Sequence, residues 1–320
     1  MEKKPLFEWS WDIRPATVEE YDSMMTSLDG HLASLRLGPA QRPLSAMLVV
    51  SSTLGLSGTP ILGGSGDRGE PFSPRDLLAR VHDWYEETYG EKTKIDFSPG
   101  SIVVSMHGNL WEMKIPKVWG SVQMFITADL SNKGNRIATK DSSPAQHNIL
   151  CSIQGMTQAY AKRLTNDDLL VLAEKFVTGS EAVVCLDDLK GHDLFNEARG
   201  DYRHSVDALL TGHELSKARW DTAQCAEKVL KGLLARDGHA YPTSGAQGHD
   251  IKHLGGLTKE KFGIELPTTE LTMVYCSPAV RYGQEKSTIE RALAAHNALV
   301  QVLSFLAEAR VHHTHWHDMY

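Results

Sequence analysis

The sequence predicts two folded parts: an α+β N-terminal domain over residues 1–190, an antiparallel sheet with helices on one face, and an all-α four-helix bundle over residues 191–310. A histidine-rich tail occupies residues 311–320. Three observations carry this reading. Residues 218–238 form one amphipathic pattern, with Trp220, Ala223, Ala226, Leu230, Leu233 and Leu234 recurring at three- and four-residue steps. Residues 94–127 hold four short alternating or β-branched runs separated by turn residues. The polar stretch 187–192 separates the two patterns and marks the expected boundary.

Bulk composition sets outer limits. At 320 residues the chain is long enough for two cores. Hydrophobic content of 41% with 23% charged residues describes a globular protein expected in the cytoplasm. The N-terminus lacks a signal-like apolar core, and no run reaches membrane-spanning length. A formal charge of −7 excludes a broadly basic surface, so any nucleic acid must be met at a local patch. Cys151, Cys185, Cys225 and Cys276 are far apart, without metal-ligand spacing, and read as reduced core residues.

Taken in order, Phe7, Trp9 and Trp11 alternate as in a short strand. Thr17 with Glu20 makes a capping box for a helix reaching about Leu37, closed by Gly38. Residues 45–53 are apolar but too short to assign. Residues 55–69 are Gly-rich without the Gly-Lys-Ser/Thr of a P-loop or the dinucleotide spacing, and read as a surface loop. Ser73-Pro74 starts a helix ending at Gly90. The runs 94–97, 101–106, 110–115 and 121–127 follow as a meander. Ser143-Pro144 opens a helix to about Leu164, Thr165 caps another over 166–176, and 182–186 is a short apolar strand.

The C-terminal part runs from a helix over 193–212, through the 218–238 helix with Gly238 as its left-handed cap, to Gly248-His249-Asp250, a segment over 268–282, and a last helix from Thr288 to about Ala309. Ala226-Glu227-Lys228-Val229-Leu230-Lys231, then His249-Asp250-Ile251, then Arg281-Tyr282-Gly283 and the Ala-rich last helix together resemble the HEPN family across roughly residues 193–310. The resemblance implies a small four-helix bundle, a homodimer, no cofactor, and either RNA cleavage or nucleotide binding.

Two candidate sites follow. HEPN ribonucleases carry an arginine and a histidine four to six residues apart, and Arg291 and His296 have four between them. In that reading His296 is the general acid/base for attack of the RNA 2′-hydroxyl, and Arg291 holds the phosphate, without metal. A dimer of toxin or antiviral-defence type, with a possible antitoxin partner, is the corresponding biology. Against it, five residues of α-helix turn by about 140°, so the two side chains do not share a face. The alternative is a non-catalytic module that binds a nucleotide, RNA or a protein partner through Arg281 and Tyr282, or a scaffold that dimerises the N-terminal domain. His249 and His253 have helical metal spacing but no third ligand, so Gly248-His249-Asp250 reads as a loop anchor with Asp250 as an N-cap. The tail histidines have irregular spacing, and Trp84, Trp111 and Trp119 read as core aromatics rather than base-stacking platforms.

Overall fold

The structure, a computed structural model, describes residues 5–56, 68–94, 96–118, 120–134, 144–243, 245–282 and 284–309. Most of the Gly-rich stretch, Trp119, Ser143, Gly283 and the histidine tail lie outside the described residues. The chain is mostly helical, with one antiparallel and one parallel strand pair. It divides into two compact units, Met1–Asp96 and Phe97–Tyr320. Among the described residues, no helix is long and apolar enough to cross a membrane.

The described part of the first unit holds three α-helices and no strand. α1 (Val18–Ser34) starts as expected, with Thr17 Oγ1 accepting from the Glu20 N–H and Glu20 Oε2 accepting from the Ala16 N–H. The ambiguous run 45–53 is α2 (Arg42–Thr53), because Ala46, Met47, Val49 and Val50 pack inward. α3 (Pro74–Tyr89) is capped by Ser73. Phe7, Trp9 and Trp11 are not a strand. Pro5–Phe7 is a 3₁₀ turn, and Trp9 stacks on Trp11 with centroids 6.0 Å apart. No strand among the unit's described residues offers a ladder, so burial of the indole decides the local fold. Asp29 ties the helices together: Arg42 donates to its Oδ1 at 3.0 Å and the Tyr89 hydroxyl to its Oδ2 at 2.6 Å.

The second unit opens with the hairpin β1 (Gly100–Met106) and β2 (Asn109–Ile115), antiparallel with Val103 opposite Glu112. His107 and Gly108 both take positive φ, 46° and 78°, as a two-residue turn matched to strand twist requires. The expected meander stops there. Residues 94–97 contribute no described strand, and β3 (Val122–Phe125) pairs in parallel with β4 (Ala145–Asn148), where a helix was expected. The buried Asn148 explains the difference. Its amide donates to the carbonyls of Thr127, Asp129 and Asn132, and its oxygen accepts from the Thr127 and Leu150 N–H groups. Such side-chain bonding offers the backbone an alternative to helix. Between 149 and 164 only a 3₁₀ turn and the short α4 (Gln158–Ala161) form.

α5 (Asn166–Asp188) is one long helix. The strand expected at 182–186 is its last part, because Leu172, Phe176, Gly179, Val183 and Leu186 keep helical spacing throughout. Then come α6 (Asp193–Thr211), α7 (Leu215–Arg236), α8 (Gly245–Gly248), α9 (Ile251–Phe262), α10 (Thr268–Val274), α11 (Pro278–Arg281) and α12 (Ile289–Glu308). Gly212, at φ 68°, closes α6, and Asp250 caps α9 by accepting from the Lys252 and His253 N–H groups. α12 is capped by Thr288, whose side chain accepts from the Arg291 N–H.

The helices α5, α6, α7 and α12 share one hydrophobic core with the β1–β2 hairpin. The division of the chain therefore falls near residue 96 rather than at 190, and the strands belong with the helical bundle, not with an N-terminal sheet domain. Stretch 187–192 is polar yet tied down: Leu189 is buried, and Arg199 donates to the carbonyls of Leu186 and Leu189. Gly179 lets α5 lie on β1, since a Cβ there would come within 2.6 Å of Ile102.

Candidate functional site

α7 is the helix the unit is built around. It packs against α6, α9, α10, α11 and α12, so it is buried on most sides. Three charges on it, Asp221, Glu227 and Lys231, are buried as a result. Glu227 Oε1 holds Lys231 Nζ at 2.7 Å, and its Oε2 accepts from Gln224 and meets His249 Nδ1 at 3.0 Å. This cluster anchors the His249 loop to the bundle. His253 is not part of it. Among the described residues, the ligand atoms close enough to share an ion are those of His82, Asp83 and Glu86 on the outer side of α3, and Asp83 there is paired with Arg68.

The segment α10–α11 is pinned to the first half of α7. Arg219 donates to the Tyr275 carbonyl at 3.3 Å, and Ser216 Oγ accepts from the Ser287 N–H at 3.0 Å. α11 is a single turn, continued by the N–H groups of Gln284 and Glu285 folding back onto the Ala279 carbonyl. This places the Arg281 guanidinium 5.0 Å from the Trp220 ring centroid and 5.8 Å from that of Tyr282. Tyr282 is 71% exposed. Among the described residues no carboxylate pairs with Arg281.

An open groove of about 620 Å³ runs beside this stack, walled by Trp220, Asp221, Lys217, Lys228, Asp201 and Arg281. A second, of about 660 Å³, lies on the other side of Trp220 and reaches His249 and Cys276. In the first groove Lys228 is already engaged, 2.8 Å from Asp201 and 3.2 Å from Glu197. Burial alone would lower its pKa, but these carboxylates outweigh it and raise it. Lys217 is only loosely paired, 3.8 Å from Glu214. Asp221 is 8% exposed and its Oδ2 has no hydrogen-bond partner. Burial, then the neighbouring Asp201, raises its pKa.

The expected pair Arg291 and His296 is not assembled. His296 is fully buried, its Nε2 accepting from the Val103 N–H at 3.1 Å and its ring 5.7 Å from that of Tyr202. Burial first, then Lys175, lowers its pKa to about 4. It fastens α12 to β1 and cannot exchange protons with a dissolved RNA. Arg291 is exposed on the helix surface, 3.3 Å from Glu285. Arg281, in contrast, lines the groove, and the exposed Tyr282 lies beside its guanidinium. Trp84 and Trp111 pack against Tyr85 and Tyr160 and are structural. All four cysteines are free thiols, three of them buried.

Sequence reading missed Trp220 as a site wall, and it missed Asp221 and Glu227 as buried groups. For Glu227 the signal was present: Ala223, Leu230 and Leu234 stand four before, three after and seven after it, which puts it on the apolar face. Compared with protein-family models, curated proteins and solved structures, the chain finds no match.

Proposed function

We propose that this chain is a HEPN-like, non-catalytic binding module whose helical unit holds a nucleotide in the groove between α7 and α11. The observation that carries the reading is Arg281. Its guanidinium lies over Trp220 and beside the exposed Tyr282, with no carboxylate partner among the described residues, at the rim of an open groove. Flat aromatic faces stack a base, and a guanidinium fork takes phosphate oxygens. Lys217 adds a second cation on the same wall. The buried His296 supports binding over cleavage, and among the described residues no histidine lines this groove to move a proton. The HEPN resemblance brings a homodimer into the proposal, and the exposed Leu170, Val171 and Val177 on α5 are the apolar residues available to it.

The test is calorimetric titration of the full chain with mononucleotides. Arg281→Ala is expected to weaken binding about tenfold or more, roughly 1.4 kcal/mol, and Tyr282→Ala by a similar factor. If no mononucleotide binds, or if Arg281→Ala binds as tightly as wild type, the proposal is wrong. Metal-independent RNA cleavage by the purified protein that disappears in His296→Ala of native fold would restore the ribonuclease reading.

A further inference from the structure

We propose that the groove between α7 and α11 accepts nucleotides carrying a single phosphate and rejects nucleoside di- and triphosphates. This rests on the nucleotide reading above and adds the charge class of the ligand.

The charged side chains that line the groove are Arg281, Lys217 and Lys228 against Asp201, Asp221 and Glu214. Their formal charges cancel, whereas a polyphosphate needs a surplus of cations. The cations also differ in how free they are. Lys228 is spent, 2.8 Å from Asp201 and 3.2 Å from Glu197. Arg281 has no carboxylate partner among the described residues. Lys217 is held only loosely, 3.8 Å from Glu214, and both of these side chains are exposed. Lys217 also stands in the first turn of α7, and the N-cap residue Glu214 makes no side-chain cap bond there. Arg281, Lys217 and the positive end of the α7 dipole are therefore the charges open to a phosphate. A terminal phosphate carries about two negative charges at neutral pH, so one such group matches the two free cations.

Each further phosphate brings negative charge for which no cation is left. It meets carboxylates instead. Glu214 is exposed at the groove surface, and Asp221 is buried in its wall without an ion-pair partner among the described residues. The unpartnered Oδ2 of Asp221 is closed off from solvent, so its charge acts through space and not by contact. A partly buried wall screens that charge less than water does. Burial, then Asp201, already disfavours the ionised form of Asp221, and an added anion would oppose it further.

The experiment is calorimetric titration of the full chain with GMP, GDP and GTP in magnesium-free buffer. It is run with salt at ~0.1 M and ~1 M, between which the screening length falls from about 10 Å to about 3 Å. At the lower salt GTP is expected to bind at least about tenfold more weakly than GMP, with GDP between them. At the higher salt the gap is expected to close, because repulsion makes it. Glu214→Gln and Asp221→Asn are each expected to narrow the gap about threefold at the lower salt. GTP binding as tightly as GMP, or more tightly, would overturn the inference and leave the nucleotide reading standing. A gap that salt does not change would also overturn it, since exclusion by shape does not respond to screening. So would a gap of full size in both variants. Failure of every nucleotide to bind would overturn both readings. The salt comparison needs no variant, so it decides even if Asp221→Asn does not fold.

Discussion

Replacing His296 probes the joint between α12 and β1. The imidazole fills a fully buried position and accepts from the Val103 N–H at 3.1 Å. His296→Ala removes the ring and orphans that N–H. Cavity and unmet donor together are expected to cost about 3–5 kcal/mol. His296→Gln keeps an acceptor without a titrating ring, and its cost is expected to be smaller. The sharper signature is in acid. The folded-state pKa is about 4 against an ordinary 6.5. Between those values the unfolded chain binds the proton and the folded chain does not, so stability is full above 6.5 and falls as pH drops toward 4. Going from pH ~7.5 to pH ~4.5, this one group is expected to remove about 2.5 kcal/mol. Carboxylates titrate over the same range, so the measured quantity is the difference between wild type and His296→Gln in urea unfolding at the two pH values. Wild type is expected to lose about 2.5 kcal/mol more than the variant. An unchanged gap between the two proteins would refute the neutral, buried histidine, and with it the argument against its role in cleavage.

Further outcomes follow from packing and pairing. Gly232→Ala places a Cβ 2.6 Å from the Phe195 ring at the α6–α7 contact, and is expected to lower stability by about 1–3 kcal/mol in urea titration. Glu227→Gln leaves Lys231, itself 7% exposed, without its carboxylate. A loss of about 3–5 kcal/mol is expected, with most of it regained when Lys231→Met is added. In the first unit, Tyr89→Phe deletes the 2.6 Å hydroxyl bond to Asp29, and thermal unfolding is expected to show a cost of about 1–2 kcal/mol.

The parts of this fold that sequence makes legible are those governed by local rules. Thr17, Ser73, Thr165 and Asp250 cap helices as their side chains dictate, and the 218–238 pattern lies within a few residues of α7. What escaped is tertiary. β4 replaces a helix because Asn148 finds partners at 127–132, far from it in sequence. The 182–186 run stays helical because the α5 face goes on packing, and short apolar runs do not separate strand from buried helix by periodicity. The boundary near residue 96 depends on which elements share a core, and local polarity at 187–192 does not report that. Arg281 and Tyr282 were legible as a motif, but Trp220 beneath Arg281 and Asp221 in the same groove became site residues only once α11 was folded onto α7. The reverse holds for His296. Its spacing from Arg291 suggests catalysis, while its burial against Val103 comes from a strand nearly two hundred residues earlier.

The most direct test of the central claim is whether a nucleotide sits on Trp220. Tryptophan emission is measured during titration with GMP, in wild type and in Trp220→Phe. Saturable quenching in wild type that is largely lost in Trp220→Phe, with calorimetric binding of GMP retained in weakened form, is the predicted result. Quenching of equal size in both proteins, or none in either, would contradict a nucleotide site between α7 and α11.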